Sequence, residues 1–160
     1  MMVAMLSGCL TSKQDKEVSA LRVHIEINSN KIGNSETISV LRSDPVLVTI
    51  AKEPILTEAN MVEAKVIDAR GGIAIEITFD EISAHVLEQY SAANPREHFA
   101  IFGQWGEKLV NGRWLAAPLI THRIADGRLA FTADMSRAEA DQLVLGLNNV
   151  AKKMRKGQLK

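Results

Sequence analysis

The fold class is decided by one stretch near the middle of the chain. It reads Gly72-Ile73-Ala74-Ile75-Glu76-Ile77-Thr78-Phe79-Asp80. Apolar side chains at alternate positions predict a strand with one buried face. Asp80 is a good N-cap for residues 81–93, where apolar side chains recur at helical spacing until Asn94-Pro95 ends the helix. A strand followed directly by an amphipathic helix indicates a fold that mixes both element types.

On the N-terminal side of this stretch the same patterns predict more strands. Alternation predicts strands at 21–27, 37–41, 46–50 and 65–68. The turn-rich residues 28–35 join the first two into an N-terminal β-hairpin. Thr57 is the N-cap of a predicted short helix before the fourth strand.

On the C-terminal side, strands are predicted at 98–102, 119–124 and 128–132. Asn111-Gly112 is the preferred pair for a two-residue hairpin turn. Ser136 and Glu139 form a capping box that opens a second main helix. We therefore expect an α+β fold of ferredoxin-like type: a mixed or antiparallel sheet with two main helices packed on one face, plus the N-terminal hairpin.

Length and composition indicate a single globular domain. The chain has 160 residues, 46% of them hydrophobic and 24% charged, with only 10 Gly, 4 Pro and one Cys. These values exclude disordered, collagen-like and disulfide-rich classes. We expect one domain at 18–150, preceded by a tether at 1–17 and followed by a basic tail at 151–160.

The charge distribution argues against nucleic acid as a partner. The 19 Lys and Arg balance the 19 Asp and Glu, so there is no net positive field to attract phosphates. Five of the basic residues lie in the last ten positions without an acid among them, which leaves 14 basic against 19 acidic residues elsewhere. This tail could lie against anionic lipid or an acidic partner, or it could simply be solvated. No run approaches the roughly 18 apolar residues of a transmembrane helix.

The N-terminus contains the single cysteine in a distinctive setting. Leu6-Ser7-Gly8-Cys9 follows an apolar run and resembles a bacterial lipobox, in which the cysteine receives a diacylglyceryl group. We expect Cys9 to be a lipid attachment site on an envelope protein, with the lipid providing membrane association. The alternative is an ordinary free thiol near the terminus.

Searches for catalytic patterns favour a protein that is not an enzyme. The four histidines, His24, His85, His98 and His122, lack metal-ligand spacing, and no P-loop, G-x-G-x-x-G or G-x-S-x-G motif occurs. We expect no metal and no cofactor. A hydrolase whose site is assembled in space from His85, His98 or His122 and a carboxylate remains the enzymatic alternative.

The candidate partner-binding residues are two tryptophans and two cations in one segment. They are Trp105, Lys108, Arg113 and Trp114. Exposed aromatic side chains flanked by positive charge are typical of recognition surfaces. The alternative is that both indoles pack in the core.

The second half of the chain resembles the head of the first periplasmic domain of SecD, a membrane protein that assists late steps of protein export. The resemblance covers 72–147 and rests on the order of its elements, from the strand at 72–80 to the capped helix. The other segments that carry it are Phe99-Ala100-Ile101, Ala117-Pro118-Leu119-Ile120, Asp126-Gly127 and Ser136-Arg137-Ala138-Glu139-Ala140. It implies a compact SecD-head-like α+β domain outside the cytoplasm, of a kind proposed to contact polypeptides.

Together these observations predict a non-catalytic, lipid-anchored envelope protein that binds a protein partner or an unfolded polypeptide, in export or envelope assembly. The alternative is a structural or oligomerising spacer subunit without polypeptide-binding activity, so a homo-oligomer stays open.

Overall fold

The computed structural model describes Gln14, residues 16–27 and residues 33–157. Within these residues the chain forms nine strands and two α-helices. The strands are β1 Ala20–Ile25, β2 Ser35–Val40, β3 Val46–Ala51, β4 Leu56–Thr57, β5 Met61–Ala69, β6 Gly72–Phe79, β7 Phe99–Trp105, β8 Asn111–Ala116 and β9 Arg128–Thr132. The helices are α1 Glu81–Ala93 and α2 Arg137–Arg155, and one-turn 3-10 helices lie at Glu58–Asn60 and Glu107–Leu109.

The strands form three antiparallel sheets, and the expected α+β class is confirmed. Their orders are β4-β1-β7-β8, β2-β3 and β5-β6-β9. The larger sheets do not continue into one another, in part because α2 lies beside the outer edge of β5. There the Asn148 side chain accepts a hydrogen bond from Ala64 N and donates one to Ala64 O, both at 2.9 Å. This amide takes the place of a neighbouring strand at Ala64.

The capping signals in the sequence are confirmed at both helices. The Asp80 carboxylate accepts a hydrogen bond from Ser83 N at 2.8 Å. Ser136 Oγ accepts from Glu139 N, and Glu139 Oε2 accepts from Ser136 N, which completes the predicted capping box. Both helices contribute side chains to the core between the two larger sheets, among them Leu87 of α1 and Leu143 of α2.

The predicted N-terminal hairpin is wrong, because β1 pairs with β4 and β7 and not with β2. The hairpin that does form is β2–β3, one strand further along. The physical reason is burial: Leu21 and Val23 are fully buried, so β1 occupies an inner position of its sheet. Between β4 and β7, β1 has a hydrogen-bonded partner strand on each side.

The β2–β3 hairpin covers the outer face of the four-stranded sheet. Its inward side chains form a second, smaller apolar cluster around Ala100 of β7. The members are Ile38, Val40, Val48, Ile50 and Ala100. The hairpin is therefore a separate layer, with the sheet between it and the main core.

Three local predictions differ from the structure. The Asn111-Gly112 turn is wrong: both residues belong to β8, and the chain reverses at 106–110, with Lys108 and Leu109 at φ 55° and 57°. The predicted strand at 119–124 is irregular apart from one bridge between His98 and Leu119. The short helix after Thr57 stops at Asn60, because Met61 begins β5.

The predicted boundaries at the two ends also change. Helix α2 continues to Arg155, so residues 151–155 belong to the domain and not to a separate tail. At the other end, Asn149 Nδ2 donates to Gln14 O and Glu17 O at 2.7 and 3.1 Å. The described part of the predicted tether therefore packs against α2.

Candidate functional site

The four predicted partner-binding residues do not form one patch, because the four-stranded sheet separates them. Trp105 points into the main core and is only 1% exposed. Its proposed contact with a partner is wrong, and the alternative of core packing holds for this residue. Trp114 lies on the opposite face of the sheet, beside the hairpin, and is partly exposed.

Arg113 is engaged within the molecule. Its guanidinium lies 5.0 Å from the centre of the Trp105 ring. It also forms an ion pair with Glu139 and donates to Asp134 O at 3.3 Å. A cation held by a ring, a carboxylate and a carbonyl has little capacity left for a partner.

Lys108 is exposed on the turn between β7 and β8. It does not line the cleft that contains Trp114. Of the four predicted residues, Trp114 lines a cleft.

This aromatic cleft lies between the four-stranded sheet and the β2–β3 hairpin. It has a volume of about 260 Å³. Its lining consists of Arg22, His24, Glu36, Ile50, Lys52, Phe102 and Trp114. The Trp114 ring meets Phe102 and His24 edge to face, with centroid distances of 5.2 and 5.3 Å. Such pairs are favourable and hold the indole in one orientation.

His24 is a fixed, uncharged component of the cleft. Its Nδ1 lies 2.8 Å from Ala51 O, and because a carbonyl only accepts, Nδ1 carries the proton. Burial lowers the pKa of His24, against the opposing effect of that hydrogen bond. The ring is therefore neutral near pH 7.

Charged side chains surround the rings. Arg22, Glu36 and Lys52 are all exposed. The cleft thus combines apolar rings with charges of both signs. Sequence reasoning found Trp114 but missed His24, Arg22 and Phe102. The outward alternation of Arg22 and His24 along β1 was the available signal.

His98 belongs to a cluster with two carboxylates. His98 Nδ1 lies 2.6 Å from Glu26 Oε2, and Glu97 is nearby. Burial, together with a hydrogen bond to the Glu26 carboxyl, raises the pKa of Glu97. In the described residues no hydroxyl or thiol is hydrogen-bonded to this group.

His85 and His122 are exposed. His85 pairs with Glu88, and His122 lies beside Thr121. His122 and Asp126 line a shallow groove of about 290 Å³, but Asp126 accepts a hydrogen bond from Arg128 N and none from His122. In residues 16–27 and 33–157, no cluster of His, Cys, Asp and Glu could hold a metal ion. Cys9 lies outside the described residues. Neither α1 nor α2 has the length and hydrophobicity of a membrane-spanning helix.

The layered antiparallel sheets and the two helices define an α+β domain with an aromatic cleft between its four-stranded sheet and its hairpin. Comparison with known proteins identifies its family. The profile of the family described as SecDF, P1 head subdomain, matches residues 34–152. The chain belongs to this family, which confirms the resemblance seen in the sequence and extends it toward the N-terminus.

Solved structures agree with this assignment. A structure of SecDF, described as a membrane component that enhances protein export, is 20% identical with a TM-score of 0.57, and the match covers 91% of this chain and 72% of that chain. SecDF in a super-membrane-facing form is 20% identical with a TM-score of 0.58, covering 86% of this chain and 20% of that chain. A sequence search of curated proteins found no significant match.

Proposed function

We propose that this domain is a non-catalytic protein-binding module of the cell envelope that acts in protein export by contacting unfolded polypeptide or a protein partner. Membership of the SecDF head family supports the export context, since one structural neighbour is described as enhancing protein export. The observation that carries the binding role is the aromatic cleft around Trp114.

The chemistry of the cleft matches a polypeptide ligand of varied sequence. Trp114 and Phe102 offer apolar contact to side chains of many kinds, and aromatic residues dominate the energetics of such interfaces. Arg22, Lys52 and Glu36 offer rim contacts to charges of either sign. Because the rings are held by each other and by His24, little side-chain entropy is lost on binding.

The test is fluorescence anisotropy of a labelled, reduced and carboxymethylated lactalbumin titrated with the full chain. Trp114→Ala should weaken binding by about tenfold. Lys52→Glu, an exposed substitution at the rim, should weaken it less without altering the fold. Ile82→Ala is the matched control, because Ile82 is 80% exposed on α1, outside the cleft.

Unchanged affinity in both Trp114→Ala and Lys52→Glu, with circular dichroism matching the original protein, would show that the cleft is not the binding site. Absence of saturable binding by the unmodified protein would reject polypeptide binding altogether.

The proposal includes a lipid anchor at Cys9, motivated by the lipobox-like Leu6-Ser7-Gly8-Cys9. Cells grown with a clickable palmitate analogue should label the protein, and Cys9→Ala should lose the label. Equal labelling of the two, or none on the unmodified protein, would reject the anchor and leave the binding role intact.

The second candidate function is a structural subunit that associates with its own copy. The observation favouring it is the outer edge of β2, which pairs with β3 on one side and with no strand on the other among the described residues. Unpaired edges are ready sites for pairing with another chain. Size-exclusion chromatography with light scattering distinguishes the functions: a constitutive dimer without lactalbumin binding supports the structural subunit.

A further inference from the structure

The C-terminal end of α2 carries a concentrated positive charge. Lys152, Lys153, Arg155 and Lys156 fall within its last turn and cap, and all but Lys153 are exposed. In the described part of the chain none of the four forms an ion pair with a carboxylate. The nearest acid in the same groove, Glu63, is paired with Lys65 at 3.2 Å.

Two of these cations border a groove that also contains an exposed apolar side chain. The groove has a volume of about 340 Å³ and is lined by Val62, Glu63, Asn148, Lys152 and Arg155. Val62 lies at the irregularity where β5 shifts register against β6, and it is 37% exposed. The surface thus combines a short aliphatic side chain with two cations.

The N-terminal segment meets the molecule close to this end. Gln14 and Glu17 are held by Asn149, one turn before Lys153. Gly146, one turn earlier, allows residues 18 and 19 to pass directly against the helix. The chain that links the domain to the apolar run and Cys9 therefore joins it beside the basic turn.

The C-terminal end of the chain carries a positive net charge, and the remainder carries a negative one. Five basic residues lie in the last ten positions, and 14 basic against 19 acidic residues make up the remainder. Near an anionic surface the basic end is attracted and the remainder is repelled, so the domain acquires a preferred orientation.

We propose that the basic end of α2 is a docking face for anionic phospholipid, with Lys152 and Arg155 contacting headgroup phosphates on either side of Val62. Clusters of Lys and Arg next to a membrane are attracted by anionic lipid, and each contributes appreciably to affinity. This face orients the domain on the membrane and is separate from the aromatic cleft.

Two alternative roles for these cations lead to different binding behaviour. Cations in the last turn of a helix also stabilise it through the helix dipole. A role of that kind alone predicts no lipid binding. Nucleic acid would bind the same cations, but the acidic remainder of the chain opposes a long polyanion lying along the surface.

The experiment is co-sedimentation of the full chain carrying Cys9→Ala with vesicles of phosphatidylcholine containing about 30% phosphatidylglycerol. The Cys9 substitution removes the lipid attachment site, so the result does not depend on the anchor. Lys152→Gln with Arg155→Gln should lower the partition coefficient by about tenfold or more. Raising the NaCl concentration should lower it as well.

The matched control is Arg70→Gln with Lys108→Gln, which removes the same charge from exposed positions outside the groove. It should leave vesicle binding unchanged. The proposal is overturned if both double variants bind equally, or if pure phosphatidylcholine vesicles bind as well as anionic ones. It is also overturned if the groove variant loses affinity for a single-stranded oligonucleotide while the unmodified protein ignores the vesicles.

Discussion

Gly146 is the residue on which the contact between α2 and the N-terminal segment depends most directly. A Cβ added there would lie 2.2 Å from Ser19 Oγ and 2.7 Å from both Ser19 N and Val18 C. Two of these three atoms belong to the backbone, so a side-chain rotation cannot relieve the contact. The absence of a side chain in α2 is therefore what brings residues 18 and 19 against it.

We expect Gly146→Ala to lower the free energy of unfolding by about 1–3 kcal/mol, as overpacking does. An exposed helical Gly→Ala would instead stabilise by about 1 kcal/mol, so the two cases differ in sign. Urea denaturation measures the change. Ser19→Gly in the Gly146→Ala protein should restore only part of the loss, because the backbone contacts remain. A Gly146→Ala protein as stable as the original would contradict the packing of this segment.

Asp134 joins three elements through two arginines. Arg42, just after β2, donates from its backbone N and its guanidinium to the Asp134 carboxylate, at 3.0 Å in each case. Arg113 of β8 donates to the Asp134 carbonyl. The hydrogen bonds from Arg42 lower the pKa of Asp134, in spite of partial burial, which acts in the opposite direction. The end of the β2–β3 hairpin's first strand is thus hydrogen-bonded, through Arg42, to the loop before α2.

This arrangement predicts an acid-sensitive hairpin. Because the pKa of Asp134 is lower in the folded state, its contribution to stability is present above the ordinary value of 3.8 and is lost as the pH falls through the folded value. Asp134→Asn should flatten the dependence of unfolding free energy on pH below about pH 4. Asp44→Asn, an exposed carboxylate close to Arg42, controls for charge alone. Parallel pH profiles for the original protein and Asp134→Asn would refute the assignment.

At the scale of elements, the edge of β5 is protected by a side chain. Both hydrogen bonds that a neighbouring strand would make at Ala64 are made by the Asn148 amide. An unpaired edge at this position would be open to other chains. Helix α2 therefore contributes to solubility as well as to the core.

Asn148→Leu should lower the free energy of unfolding by about 1–3 kcal/mol, because it leaves the Ala64 N–H and C=O without partners. Asn148→Asp keeps an acceptor for the N–H but loses the donor to the carbonyl, so its loss should be intermediate. Urea denaturation with light scattering measures stability and association together. Equal losses for Leu and Asp would show that the hydrogen bonds are not the cause.

Elements whose signals are local could be predicted from the sequence. The Asp80 and Ser136 caps, the alternation of β6 and the apolar face of α1 each depend on residues within a few positions. The Asn111-Gly112 turn was wrong although its local signal was good. In the structure Asn111 pairs with Trp105 in the β7–β8 register, and Trp105 is buried. The residues around Asn111 do not show which side chains the folded sheet buries. A local turn preference therefore could not be weighed against that burial.

Pairing of strands was the part of the fold that the sequence could not supply. The partners of β1 are β4 and β7, and β7 is more than seventy residues away. Assembly of the cleft depends on the same pairing, because Trp114 of β8 meets Phe102 of β7 and His24 of β1 only across the sheet. Trp114 was therefore predictable as a candidate, and the side chains around it were not.

At the scale of the whole molecule, the two proposed binding surfaces lie on different elements. The aromatic cleft is formed where the hairpin covers the four-stranded sheet, whereas the basic groove lies between β5 and the end of α2. A polypeptide in the cleft and a lipid surface at the groove use no residue in common. The two proposed interactions can therefore be weakened one at a time, the first by Trp114→Ala and the second by Lys152→Gln with Arg155→Gln.

The position of β1 makes the most demanding prediction about the whole domain. The family profile begins at residue 34, after β1, yet β1 lies between β4 and β7 with Leu21 and Val23 fully buried. A fragment of residues 34–152 lacks this strand, so β7 loses a partner and the main core is open on one side. We expect this fragment to unfold or aggregate, because the lost burial is a large part of a marginal stability.

A fragment of residues 14–157 retains all nine described strands and both helices, so it should unfold in one cooperative thermal transition followed by circular dichroism. Adding a synthetic peptide of residues 14–27 to the 34–152 fragment should restore part of the native signal, since β1 would then regain its place beside β7. A cooperative transition in 34–152 alone, at the temperature of the longer fragment, would mean that β1 is dispensable. The inner position of β1, from which Arg22 and His24 reach the cleft, predicts the opposite.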